Sequence, residues 1–214
     1  MFSKKEIDKI VNDISQNFSN EEVTQAVEYC HSRGVKVHIT LNTLIKDAEI
    51  KDAVETVRAV CEIGADAVIV QDLGLAKIIK AVCPQMEIHA STQMTVGTLE
   101  GIYELQRLGF KRAVLPRELS FDEIKYLCDH SPIDLEVFIH GALCMCVSGQ
   151  CLMSAVLGSR SGNRGLCAQP CRLEFGVQGG TGHDLSLRDM SYIQHISEMA
   201  EMGVTSFKIE GRMK

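Results

Sequence analysis

No run of apolar residues in this sequence approaches the length of a membrane span. The opening stretch, MFSKKEIDKIVNDISQN, is charged throughout and has no apolar h-region, which excludes a secretory signal peptide. The familiar hydrolase signatures are missing as well. There is no H-E-x-x-H, no G-x-S-x-G and no P-loop lysine. Residues 158–162, GSRSG, superficially match a nucleophile elbow, but Arg160 stands where the serine would have to be. No glycine-rich phosphate fingerprint follows any candidate strand, which argues against an open doubly wound sheet. The cysteines include no C-x2-C pair of the zinc-ribbon kind and no ferredoxin run.

What remains is an ordinary globular composition, 45% apolar and 23% charged. The 214 residues suit one large α/β domain or two small ones and can bury a substantial core. A net charge of −6 argues against broad nonspecific binding to nucleic acid, though not against a local basic patch. The expected compartment is the cytoplasm, with all nine cysteines reduced and a metal or redox role outranking disulfides.

In chain order, residues 4–16 and 20–33 read as helices. Ser19 with Glu22 forms a capping box for the second, and Gly34 ends it. Strands are expected at 35–41, 67–70, 88–90, 113–115, 135–139 and 206–209. Helices are expected at 48–63, 73–82, 96–108, 121–128 and 191–202. Strand and helix alternate, and a glycine before the next strand recurs at Gly34, Gly64, Gly109 and Gly203. This is the pattern of βα units on a parallel sheet. Polar residues collect where strands end: Asn42, Gln71 and Asp72, Ser91 to Gln93, Arg117 and Glu118, His140, and Glu210 to Arg212. In a TIM barrel that end is the active face, and a closed barrel has eight strands. The expected fold is therefore an incomplete TIM-barrel-like parallel barrel with about six of the eight strands, spanning residues 1–214 as one fragmentary domain.

The chemistry concentrates in residues 136–172, where five of the nine cysteines fall. Cys144, Cys151, Cys167 and Cys171 are spaced C-x6-C-x15-C-x3-C after an apolar strand, in a cysteine-rich insertion over 141–172. Thiolates are soft ligands, and glycines at 141, 149, 158, 162 and 165 let the backbone wrap closely. Spacing alone leaves an Fe–S centre, a zinc site or plain thiols open. Cys146 reads as a small buried residue beside the site. Cys30, Cys61, Cys83 and Cys128 read as core cysteines on helices. Arg160, Arg164 and Arg172 around the cysteines, with Arg117 and Arg212 on the rim, suit a carboxylate or phosphate. His140 is a candidate acid/base, equally readable as structural.

The segments EVFIHGALC (136–144), CLMS (151–154) and RSGNRGLCAQPCR (160–172) closely resemble the signature of the U32 peptidase-like family. VHITLNTL (37–44), ADAVIVQD (65–72), IHASTQM (88–94), AVLPREL (113–119) and FKIEGRMK (207–214) extend the resemblance from Asn17 onward. Family members usually open with a further strand resembling E-L-L-A-P-A-G and continue past K-I-E-G-R, so the chain resembles a truncated member. The resemblance implies a TIM-barrel-like domain with a [4Fe–4S] cluster on Cys144, Cys151, Cys167 and Cys171. It implies an oxygen-independent hydroxylase forming 5-hydroxypyrimidine in tRNA or 23S rRNA, with prephenate as hydroxyl source. Arg117, Glu118, His140, Glu210 and Arg212 are the implied catalytic rim. The competing functions are a collagenase-like peptidase and a noncatalytic subunit of a homo- or hetero-oligomeric complex.

Overall fold

The computed structural model describes residues 19–210. The helix expected over 4–16, and Arg212, lie outside the described residues. Helix α1 (Asn20–His31) begins at Ser19, whose hydroxyl accepts from the Glu22 N–H while Glu22 reaches back to the Ser19 N–H. Then βα units follow: β1 (His38–Leu41), α2 (Ile50–Ile63), β2 (Ala67–Val70), α3 (Leu73–Val82), β3 (Glu87–Ala90), α4 (Leu99–Arg107), β4 (Arg112–Val114), α5 (Phe121–His130) and β5 (Asp134–Gly141). After a long irregular segment containing α6 (Met153–Gly158) come β6 (Met190–Ser191), α7 (Ile196–Glu201) and β7 (Ser206–Ile209). Asp72, Thr98 and Ser120 cap α3, α4 and α5 through their side chains, each satisfying an N–H that the helix leaves unpaired.

Strands β1 to β5 pair in sequence order, all parallel, and β7 adds in parallel to β5. This is the incomplete parallel barrel with six parallel strands that the sequence pattern implies. Among the described residues its one antiparallel member is β6, against the end of β5. The helix expected over 191–202 is consequently shorter. Residues 190–191 are claimed by β5, and the Tyr192 N–H donates to the Ile139 carbonyl at 2.7 Å, so the α-helix starts only at Ile196.

The two faces of the sheet differ. Val68, Val70, Ile88, Ala90, Ala113, Leu135, Val137 and Ile139 point to the helices and pack with Ile79, Ile102, Leu105, Leu127 and Met199. Burying each larger side chain contributes about 1.5–3 kcal/mol. On the opposite face the register aligns Thr40, Ile69, His89, Arg112 and Asp134. It likewise aligns Val114, Glu136 and Ser206, and Phe138 with Lys208. In a barrel this face is the interior, and here it carries charge.

The structure corrects one cysteine assignment. Cys61 and Cys83 are joined by a disulfide. Neighbouring strands β1, β2 and β3 bring α2 and α3 side by side, so that the end of α2 and the C-cap of α3 stand 6.5 Å apart at Cα. That is within disulfide reach, and a separation of 22 residues hides it in the sequence.

Candidate functional site

The carboxyl ends of the strands are covered by the segment that follows β5, and side-chain struts hold it there. Gln71, buried at the end of β2, donates to the carbonyls of Asn42 at 2.6 Å and Asn163 at 2.9 Å. Arg164 grips Glu49 with two N–H groups at 3.0 and 2.6 Å and also donates to the Leu44 carbonyl. The Arg164 guanidinium pulls the Glu49 carboxyl down to about 2. Arg172 donates to the carbonyls of Leu143 and Leu187 and to Ser186. Arg160 donates through Nε to the Leu166 carbonyl at 2.9 Å. The arginines around the cysteines, read from sequence as free ligand-holders, are thus spent on fixing the loop. None of these partners is near in sequence to its arginine except Leu166, so no local pattern announces them.

Arg117 is different. It leaves the end of β4 and its side chain is only 6% exposed. Its guanidinium carbon lies 3.8 Å from the centroid of the Phe138 ring, a stacking that favours the cation. One terminal nitrogen donates to the Ser148 hydroxyl at 3.3 Å, and the other lies 3.3 Å from Glu210 Oε2. The Nε is buried with no hydrogen-bond partner among the described residues. Glu210 Oε2 also accepts the Ala142 N–H at 3.0 Å. This approach needs Gly141, at φ +140°, because a β-carbon there would stand 2.5 Å from the Glu210 β-carbon. Gln93 Oε1 is also buried and unpartnered among the described residues, under Gly149 of the covering loop. Gln93 falls on the rim that the sequence pattern marks, whereas nothing in the sequence singles out Ser148. His140 and Glu118 are exposed at the ends of their elements. Arg117 and Glu210 are brought together, and the His140 carbonyl accepts the Glu210 N–H at 2.9 Å, but among the described residues the exposed His140 and Glu118 side chains are not drawn into the pair.

Cys144, Cys151, Cys167 and Cys171 all carry free thiols. Arg172 and Leu143 join the first and last cysteine turns, and the Ala168 N–H donates to the buried Ser154 hydroxyl at 2.9 Å, joining the middle two. Gly162 sits between them, its implied β-carbon 3.3 Å from the Cys151 carbonyl and 3.8 Å from the Cys167 β-carbon. Two sulfurs already accept main-chain N–H groups, Cys151 from Met153 at 3.4 Å and Cys167 from Gln169 at 3.3 Å. Gln169 takes φ +55°, which turns its N–H back on that sulfur. Desolvation pushes the Cys144 thiol up, with the Arg117 charge and a hydrogen bond with Ser148 pulling the other way. Among the described residues no three His, Cys, Asp or Glu side chains are gathered closely enough to hold a metal ion. The donor set nonetheless suits an Fe–S cluster: four unbridged thiols in one loop system, with N–H groups aimed at sulfur. Cys146, expected to be buried, is exposed.

A second polar group occupies the opposite end of the strands. The Glu136 carboxylate, 7% exposed, receives Lys208 at 2.8 Å, Ser206 at 2.9 Å and Arg112 at 3.4 Å. Burial alone would raise its pKa, but these partners hold it below the usual range. His89 and His38 pack edge to face at 4.9 Å between ring centroids. Desolvation, aided by the Arg112 charge, pushes His89 down to about 4. Together with Lys36, Asp66, Gln85, Glu87 and Arg112 they line a cavity of about 350 Å³.

With this geometry in hand, relatives can be compared. The chain is 39% identical over 207 residues to a 23S rRNA 5-hydroxycytidine synthase of Escherichia coli, covering 92% of this chain and 31% of the relative. It is 32% identical to a tRNA hydroxylation protein of Bacillus subtilis, covering 94% and 50%. It is 31% identical to a collagenase of Porphyromonas gingivalis, covering 94% and 52%. The chain thus spans about half or less of the length of these curated relatives. Among solved structures, a U32 peptidase superposes with a TM-score of 0.59 at 15% identity, covering 92% of this chain and 78% of that one, a likeness of fold. The family model for peptidase family U32 matches residues 12–214, and the chain belongs to that family.

Proposed function

We propose that this chain is the barrel portion of an oxygen-independent RNA hydroxylase that forms 5-hydroxypyrimidine in tRNA or 23S rRNA. In this reading Cys144, Cys151, Cys167 and Cys171 hold a [4Fe–4S] cluster, and prephenate binds at the rim as hydroxyl source. When bound, the cluster would supply one-electron chemistry. The observation that carries the reading is the pairing of four unbridged thiols with the buried Arg117 guanidinium beside Cys144. The hydroxylation names of two relatives point the same way.

The residues divide the work. Arg117, fixed by Phe138 and Ser148, holds a carboxylate with a charge that persists at any working pH. The Met153 and Gln169 N–H groups orient two of the sulfurs. The covering loop, pinned by Gln71 and Arg164, keeps bulk water from the strand ends. RNA phosphate meets the outer surface of this loop. The protein belongs in the cytoplasm, where RNA is modified.

The test is expression in a host lacking its own U32 hydroxylases, with RNA read by nucleoside mass spectrometry. Recovered 5-hydroxypyrimidine is expected, and Arg117→Ala should abolish it while iron and sulfide content stay unchanged. Peptide hydrolysis that Arg117→Ala removes, with RNA unmodified, would replace this reading with the peptidase one that the collagenase relative suggests.

A further inference from the structure

We propose that Arg117 and the Ala142 N–H form a carboxylate cradle that Glu210 fills in cis, and that a small organic carboxylate enters by displacing Glu210. The inference deepens the reading above, since it concerns the same rim and rests on Arg117 being the carboxylate-holding group. Its basis is an asymmetry in one ion pair. The Arg117 side chain is 6% exposed, the Glu210 side chain 37%. Arg117 is held on three sides, by the Phe138 ring, by Ser148 and by burial. The Ala142 N–H is equally fixed, because it follows directly on β5. Both donors are therefore rigid. Glu210 instead hangs from the end of β7, which among the described residues pairs only with β5. Its carboxylate is the removable member of the arrangement.

The donors also suit any carboxylate. A guanidinium and a backbone N–H converge on one oxygen, Glu210 Oε2, at 3.3 and 3.0 Å. The Arg117 Nε is buried and without a partner among the described residues. An unmet donor of this kind is costly, and an incoming carboxylate with two free oxygens can meet it where Glu210 does not. Gly141 leaves the space through which Glu210 reaches the cradle, and the same space would admit a ligand once Glu210 swings out. A site filled by its own side chain binds ligand with an apparent affinity reduced by the fraction of time it stands open.

Removal of the Glu210 carboxylate should open the cradle and leave Arg117 seeking an anion. Thermal melts of wild type and Glu210→Ala are compared in acetate and in chloride at matched ionic strength. Glu210→Ala is expected to gain about 4 °C from acetate over chloride at roughly ten times its dissociation constant, and wild type only about 1 °C. Benzoate should bind Glu210→Ala about tenfold more tightly than wild type, the factor expected if the cradle stands open about a tenth of the time. Arg117→Lys in the Glu210→Ala background should erase both effects. Should Glu210→Ala not fold, Glu210→Gln keeps the shape, loses the charge, and is expected to show the same acetate effect at smaller size. Equal responses of wild type and variant, or no response in either, overturn the cradle. They leave the RNA reading standing, because that is scored separately by nucleoside mass spectrometry.

Discussion

The sheet and the segment that covers it are held by different means. In β2 to β5 nearly every side chain on the helix face is apolar and buried, and backbone ladders join each strand to the next. Residues 142–189 contain one short α-helix and two single-turn 3-10 helices, and their apolar side chains face outward: Leu152, Val156, Leu157, Leu173 and Val177 are between 59% and 81% exposed. What holds this segment is a handful of side-chain bonds to distant carbonyls and carboxylates, chiefly from Arg164, Arg172 and Gln71. The sheet is stabilised by what its residues are. The segment is stabilised by what it touches, and four thiols give it something further to touch. A region short of buried apolar contacts sits at the low end of local stability, which is where ligand-dependent order belongs.

The strongest way to sharpen this contrast is to load the thiols. Anaerobic reconstitution should give one [4Fe–4S] centre per chain, and hydrogen exchange should slow in 142–189 while β2 to β5 stay unchanged. Serine at Cys144, Cys151, Cys167 or Cys171 should remove the visible absorption and the added protection together. Cys146→Ser should be nearly silent. Stoichiometric zinc without sulfide would sink the assignment.

Next in size is the disulfide, which belongs to the sheet layer alone. Closing a loop of 22 residues is worth about 3 kcal/mol by the loop-entropy account. Reduction, or serine at both Cys61 and Cys83, should lower the urea midpoint accordingly. Exchange in 142–189 should not respond, since neither cysteine touches it.

Acid should also strike the sheet first. His89 takes its proton near 6.5 when unfolded but only near about 4 when folded, because burial and Arg112 disfavour the charged ring. Between these values the unfolded state binds more protons, so stability falls as pH falls. The loss from this group is on the order of 2 kcal/mol at pH 4.5. His38 is depressed in the same direction, by desolvation and Arg112. Urea unfolding at pH 7 and pH 4.5 measures the slope, which His89→Gln should flatten. An unchanged slope would place the acid sensitivity elsewhere.

The same division explains what the sequence makes legible. Strands 67–70 and 206–209 and the helix over 73–82 fall where periodicity and caps put them, because their local pattern and tertiary burial agree. The four-cysteine spacing singles out the covering segment. The partners of Arg164 and Arg172 do not show, since Glu49 lies 115 residues from Arg164 and Leu143 lies 29 from Arg172. Cys146 and Cys61 mislead for one reason: burial of a cysteine depends on what the fold brings beside it. The helix over 191–202 was overextended because nothing local reveals that β5 takes residues 190–191.

The smallest effect tests the contrast most finely. Arg164 and Glu49 join the covering segment to the turn before α2, with side chains 29% and 37% exposed. A pair exposed to this degree contributes little to global stability, so Arg164→Ala should barely move the urea midpoint. Locally the consequence is larger. The pair and the Leu44 carbonyl bond hold residues 162–164 against the rim, and losing them raises the local open population a few-fold. Limited proteolysis should therefore cut within 158–189 a few times faster, while the sheet resists as before. Arg164→Lys keeps the charge but not the two-pronged grip, and should fall between. A midpoint shift as large as the local one would mean that sheet and segment open together, and the separation drawn between them would fail.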